Sequence, residues 1–255
     1  MLPRMAQNIT IITGSSRGVG AALVEQLLQP GQVVLGIARQ AHPGLQARAD
    51  AAGMRLEQWQ ADLAESAAVA QRLRVWLAGF DPALVHQVTL INNAAQVGRL
   101  ACLEQVPPAD VAAVLRVGLE AALVLTAAFL EMTDAWPARR CVLNVSSGLG
   151  RRPMAGSAAY CAAKAGLDHF SRCIALEQAD HVNPAHVVSL APGVIDTDMQ
   201  AELRAADPQA FPERARFVKL QHDGVLISPQ ACARALLARL ADPSFGHEVV
   251  GDLRA

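Results

Sequence analysis

The sequence predicts an α/β fold, a doubly wound parallel sheet with helices on both faces. Three observations predict it. Short apolar runs alternate along the chain with longer stretches of helical composition. Several of those runs are apolar throughout, the signature of strands buried on both faces, as in a parallel sheet. The first run leads into "TGSSRGVG", residues 13–20, a glycine turn placed where a strand would hand over to a helix.

The elements follow in order. "NITIIT", 8–13, is the first strand. A helix over 19–30 is stopped by Pro30-Gly31. "QVVLGIAR", 32–39, is the second strand. A helical piece near 43–53, a strand at 54–61 and a helix near 65–79 come next. "HQVTLINNAA", 86–95, reads as a buried strand. A long helix over 108–132 opens at Pro108, a residue favoured in the first helical turn. A strand at 139–147, a second long helix at 157–178 and a strand at 185–193 follow. Residues 194–226 read as irregular, with short helical pieces. The last helix, 228–240, has Ser228 at its N-cap and Pro229 at its first position, and "GHEVV", 246–250, reads as a final strand. Right-handed crossovers wind these units into a doubly wound sheet. No linker, charge run or repeat divides the chain, so residues 1–255 read as one domain.

Composition narrows the function classes. The formal net charge is −1 and the arginines come in small groups, so no basic stripe marks a nucleic-acid partner. Five cysteines, Cys102, Cys141, Cys161, Cys173 and Cys232, are scattered without C-x-x-C spacing. Neither a disulfide framework nor a metal site is expected, and free thiols suit a reducing compartment. The N-terminal apolar run lacks the length and cleavage site of a signal peptide. No apolar run reaches the roughly 20 residues of a membrane span without charge or glycine. The expectation is a cytoplasmic protein.

In the glycine turn, Gly14, Gly18 and Gly20 surround Ser16, Arg17 and Val19. Backbone N–H groups at a helix N-terminus bind an anion, and glycine lets a pyrophosphate approach. The spacing is G-x-x-x-G-x-G rather than G-x-G-x-x-G. With the preceding strand it makes a Rossmann-type unit. A dinucleotide fold that takes NAD places an acid at the end of the second strand, against the ribose 2′-hydroxyl. Here that position offers Arg39, and Arg17 lies in the turn. Two guanidiniums suit a 2′-phosphate, so the expected cofactor is NADP(H). Asp62, followed by Leu63, suits either the adenine amino group or a helix N-cap.

"SAAYCAAKAG", 157–166, holds Tyr160, the chain's one tyrosine, and Lys164 four residues on. At that spacing both lie on one helix face. Alone, such a pair reads as a half-buried tyrosine beside a solvated lysine. The other motifs change that reading. "TGSSRGVG", "ADL" at 61–63, "NNAA" at 92–95, "LNVSS" at 143–147, Tyr160 with Lys164, and "PGVIDTDM" at 192–199 occur in an order and spacing that resemble the short-chain dehydrogenase/reductases over nearly the full length.

The resemblance implies roles. Tyr160 would be the general acid in carbonyl reduction, and Lys164 would hold the nicotinamide ribose and lower the tyrosine pKa. Ser147, thirteen residues before Tyr160, would hydrogen-bond the substrate carbonyl; Ser146 is the weaker candidate. Asn93, Ala94 and Ala95 would line the cofactor, and Pro192, Gly193, Val194, Thr197 and Met199 its nicotinamide side. Two positions depart from the family pattern. Ala95 replaces a glycine, a strained exchange only if φ is positive there. Gly118 replaces an asparagine whose main-chain carbonyl holds a water linked to the lysine; glycine keeps the carbonyl and accepts a helix kink.

Segments 192–200 and 217–240 resemble the sepiapterin reductase and benzil reductase branch, which reduces ketones, commonly vicinal dicarbonyls, with NADPH. Sepiapterin reductases anchor the pterin through a C-terminal aspartate; an ungapped match puts Val250 there, with Asp252 or Glu248 available only after a shift. An apolar diketone is favoured. Residues 199–224 are expected to form a substrate flap. Met199, Phe211, Phe217 and Leu220 either line an apolar pocket or simply pack beneath it, and Val97, Leu149 and Met154 are further wall candidates. Alternatives are another short-chain reductase, such as one for 3-oxoacyl thioesters, and a catalytically silent NADP(H)-binding regulator. The small apolar residues on the two long helices, which relatives pair across a two-fold axis, imply a homodimer or homotetramer.

Overall fold

The computed structural model describes residues 7–254. Seven strands form one parallel sheet in the order β3-β2-β1-β4-β5-β6-β7. They are β1 Gln7–Thr13, β2 Gln32–Ala38, β3 Arg55–Gln60, β4 Val85–Asn92, β5 Arg139–Val145, β6 Ala185–Ala191 and β7 Val250–Asp252. Their central residues are almost wholly buried, as continuous apolar runs require.

The helices are α1 Gly18–Leu27, α2 Pro43–Ala52, α3 Ser66–Leu77, α4 Pro108–Leu115, α5 Ala121–Thr133, α6 Ala158–Gln178, α7 Asp198–Ala205, α8 Arg214–His222 and α9 Pro229–Ala241. One sheet face is covered by α3 and α5, through Val69, Leu73, Leu77, Leu125 and Phe129. The other is covered by α1, α2 and α9, through Leu23, Leu45, Cys232 and Leu236. Ser228 caps α9, its hydroxyl accepting from the Ala231 N–H at 3.1 Å, with Pro229 behind it.

The strand order reverses between β1 and β4, so a crevice opens at the carboxyl ends of these strands. Helices α4 and α5 are one continuous run, Pro108–Thr133, joined by a π turn over Arg116–Glu120. By length and a mean hydropathy of 1.9 this run could cross a membrane, which the count of uninterrupted apolar residues did not anticipate. It packs on α3 and α6 as a core helix.

Several boundaries differ from expectation by a few residues, among them the ends of α1, β5 and β6, and two have a visible cause. The strand read at 86–95 stops at Asn92, and residues 93–95 turn into the crevice. The final strand is 250–252 rather than 246–250: Gly246, at φ +104°, and the His247 N–H on the Ser244 carbonyl hold a turn first. Ladder pairing then begins at Ser189 with Val250.

Candidate active site

A cleft of about 1520 Å³ runs over the carboxyl ends of the strands, from the β1–α1 turn to the α7–α8 segment. At one end, Gly14 and Gly18 have φ of +69° and +54°, which side chains resist. Gly20 is required for a different reason: a Cβ there would stand 2.0 Å from the Gly14 carbonyl oxygen. Gly20 therefore builds the turn from beneath and does not line the cleft, whereas Gly14, Ser16, Arg17, Gly18 and Val19 do.

Arg39, just past β2, is exposed on the cleft rim. Arg17 is also exposed, and its guanidinium pairs with Asp198 at 2.8 Å. Asp62 takes the capping alternative, its carboxylate accepting from the Ala64 N–H at 2.9 Å while the residue borders the cleft with Leu63. Asn93 lines the cleft, but its side-chain amide is spent on the Thr13 and Gly14 carbonyls, and the Asn93 and Ala94 N–H groups both donate to the Thr13 hydroxyl. Its part is to lock the end of β4 to the glycine turn. Ala95 is unstrained, since no described residue other than glycine has positive φ.

At the other end, α6 presents Tyr160 and Lys164, both buried. Ser147 follows β5, and its hydroxyl accepts from the Leu149 N–H at 3.2 Å. Burial pushes the Tyr160 phenol up to about 12, with the Ser147 hydroxyl pulling the other way. Burial also brings the Lys164 ammonium down to about 8, with Asp168 opposing that drop. Lys164 Nζ donates to the Val145 carbonyl at 2.7 Å and lies 5.7 Å from the centre of the Tyr160 ring. Desolvation of the phenol outweighs the Ser147 hydrogen bond. The Ser146 side chain is buried, whereas Ser147 is partly open to the cleft.

Gly118 sits in the π turn, buried, with the Ala163 methyl 3.4 Å from where its Cβ would be. The anticipated distortion of the helix is present. Gly118 does not reach the main cleft; it borders a separate cavity of about 10 Å³ beside Thr13 and Asn92.

Pro192, Gly193, Val194, Thr197 and Met199 line the cleft after β6. Beyond them Val97, Met154 and Phe217 form an apolar cluster with Leu149, Met199 and Leu220 packed against it, all facing the cleft. Phe211 belongs to that cluster but is fully buried and stacks on Phe217 at 5.8 Å, so it packs beneath the wall rather than forming it. Residues 194–226, read as irregular with short helical pieces, hold α7 and α8 over this end.

Sequence reading missed Arg151, Asp168, Asp198 and Arg254. Asp168 continues the stripe Tyr160, Lys164 at the same four-residue step, a signal that was available. The other three reach the site only through tertiary packing.

A family profile described as "short chain dehydrogenase" matches residues 8–208. The chain is 32% identical over 235 residues to "Benzil reductase ((S)-benzoin forming)" of Bacillus cereus, covering 92% of this chain and 94% of that one. It is 33% identical over 258 residues to the sepiapterin reductase of Meriones unguiculatus, covering 93% and 92%. A solved metagenomic short-chain oxidoreductase in complex with NADP superimposes with a TM-score of 0.72 at 26% identity, over 98% of this chain and 96% of that one.

Proposed function

Since this chain belongs to the short chain dehydrogenase family, and with it is an oxidoreductase of carbonyl and hydroxyl groups, we propose that it is an NADPH-dependent carbonyl reductase acting on an apolar ketone, a vicinal diketone by preference. One observation carries the reading. The Ser147 hydroxyl, the Tyr160 phenol and the Lys164 ammonium meet where the cofactor end of the cleft opens onto the apolar wall of Val97, Leu149, Met154, Met199 and Phe217.

The residues present fit a dinucleotide carrying a 2′-phosphate. The glycine turn leaves room against the backbone where a side chain would intrude, and the β2 end offers Arg39 and Arg17. Of the acids that line the cleft there, Asp62 is engaged as a cap and Asp198 pairs with Arg17. Arg39 and Arg17 would hold the phosphate through charge-assisted hydrogen bonds, and Lys164 the nicotinamide ribose. The cofactor, when bound, supplies the hydride.

The protein supplies the proton and the pocket. Ser147 and Tyr160 donate hydrogen bonds to the ketone oxygen, where negative charge develops. Tyr160 then gives up its proton to that oxygen. A phenol held near 12 is fully protonated at neutral pH, the state that reduction requires. The Lys164 charge favours the phenolate left behind. Similarity to benzil and sepiapterin reductases supports the dicarbonyl preference. Helices α7 and α8 form the flap that shields the reacting ketone from water. The chain acts as one domain and assembles as a homodimer or homotetramer.

The test is oxidation of NADPH with an aromatic vicinal diketone, set beside NADH and a Tyr160→Phe variant. Turnover with NADPH that disappears in the variant is expected. Cofactor binding without turnover on any ketone would sink the reading in favour of a silent regulator, and a preference for NADH would remove the roles of Arg17 and Arg39.

A further inference from the structure

Asp168 is only 2% exposed, one helical turn beyond Lys164 on the same face of α6. A carboxylate in such a place needs partners, because desolvating a charge is expensive. Its Oδ1 accepts from the Ser189 hydroxyl on β6 at 2.7 Å. Its Oδ2 has no hydrogen-bond donor and faces the Arg151 Nε at 3.7 Å. Arg151 ends the short turn that begins at Ser147, and it also donates to the Gly251 carbonyl on β7 at 3.2 Å. That turn lies hard against α6: a Cβ at Gly150 would stand 2.9 Å from Asp168 Oδ2 and 2.9 Å from the Lys164 carbonyl oxygen. One buried carboxylate therefore joins the catalytic helix, β6 and the segment carrying Ser147.

We propose that Asp168 is a positioning residue for the reaction: its carboxylate, set between Lys164 and the Arg151 guanidinium, holds the Ser147 turn on α6 and keeps the Lys164 side chain charged. The inference rests on the roles assigned above to Tyr160, Lys164 and Ser147. The charged and titratable groups facing this pair are Tyr160 and Cys161 on α6, Arg151 from the Ser147 turn, and Asp252 with Arg254 behind Arg151. The negative charge of Asp168 opposes the desolvation that drives the Lys164 ammonium toward neutrality. The positive charge of Arg151, facing the same carboxylate at 3.7 Å, should offset part of that support. Removing either partner should therefore move the titration of Lys164, in opposite directions.

The chain offers a direct readout, because Lys164 and Lys219 are its two lysines. Lys219 is exposed on α8, so lysine-selective carbon labelling gives two side-chain NMR resonances, assigned by the loss of one in Lys219→Arg. In Asp168→Asn, which keeps the shape and the acceptor for Ser189, Lys164 is expected to titrate about one pH unit lower, a tenfold loss of proton affinity. In Arg151→Gln it is expected to titrate higher than in the parent protein. The alkaline limb of the kcat/KM profile for ketone reduction should follow each shift. A Lys164 titration that stays put in both variants, or moves the same way in both, overturns the proposal and leaves Asp168 a packing residue. If Asp168→Asn does not fold, Arg151→Gln decides alone: an upward shift supports the proposal, and an unchanged or lower value overturns it. Should the titrations move as expected while the activity profile does not follow, it is the catalytic role given to Lys164 that fails, not the charge coupling.

Discussion

At the glycine-turn end of the cleft the Arg17 side chain is 64% exposed and meets Asp198 in water. At the catalytic end Lys164 and Asp168 are each 2% exposed and meet their partners inside the protein. Charges in water are screened and cheap to hold, so on the proposed reading the cofactor end would rely on backbone shape first and charge second. Buried charges are strong and costly, so the catalytic end sets protonation states at the expense of stability. One site thus uses two electrostatic regimes, and each can be tested separately.

The largest effect is expected where the buried regime meets the reacting atoms. Tyr160→Phe removes the proton donor and keeps the ring, so turnover should fall by about 10²–10⁴-fold, the range for a lost general acid. NADPH binding, read by fluorescence titration, should stay within about twofold. A variant that keeps most of its turnover would break the catalytic half of the comparison.

Lys164→Met should also lose turnover, but its stability change is the sharper result. The Lys164 pKa falls from 10.5 unfolded to about 8 folded. Below pH 8 both states carry the charge, and the folded state bears the whole cost of burying it. Between about 8 and 10.5 the unfolded state binds a proton that the folded state does not, so stability from this group rises with pH across that window. Methionine removes the cost, offset in part by the lost bond to the Val145 carbonyl. The variant should therefore melt higher at pH 7, by on the order of 2 kcal/mol, with an advantage that shrinks as pH climbs past 8. A lower melting temperature at pH 7 would mean that the hydrogen bond outweighs the desolvation.

Tyr160 and Lys164 were legible through a four-residue step on one helix read together with the order of the other motifs, and the glycine turn through glycines within one short segment. The doubly wound parallel sheet followed from the alternation of buried runs and helices. What stayed hidden depends on distance along the chain. Asn93 was readable as a cleft residue, yet its amide is spent on a turn 79 and 80 residues away. Phe211 and Phe217 have the same composition signal, and only packing decides that one lines the cleft and the other supports it. The last strand was displaced because a turn closed by Gly246 consumes residues whose pattern alone suits a strand. Arg151 and Asp168 lie on separate segments that the crossover from β5 to α6 folds together.

The exposed regime should give smaller, salt-sensitive effects. Arg39→Ala removes a guanidinium from the β2 end of the cleft and should weaken NADPH about tenfold, the loss of one charge-assisted contact, while leaving NADH nearly unchanged. Raising the ionic strength should shrink the gap between parent and variant. Equal losses for both cofactors would show that Arg39 acts on something other than the 2′-phosphate.

The smallest effect belongs to Asp198→Asn, and its sign is the informative part. Asp198 opens α7, the first helix of the proposed flap, and takes up the Arg17 guanidinium 181 residues earlier in sequence. If Arg17 serves the 2′-phosphate, that carboxylate competes for it and also repels the phosphate. An exposed pair of this kind is worth at most about 1 kcal/mol. Asparagine should then tighten NADPH by a few-fold at low salt, with the gain fading as salt rises and NADH unmoved. Weaker NADPH binding in the variant would reverse the assignment. Asp198 would then be orienting Arg17 for the phosphate, and the first turn of the flap would be part of the cofactor site rather than its competitor.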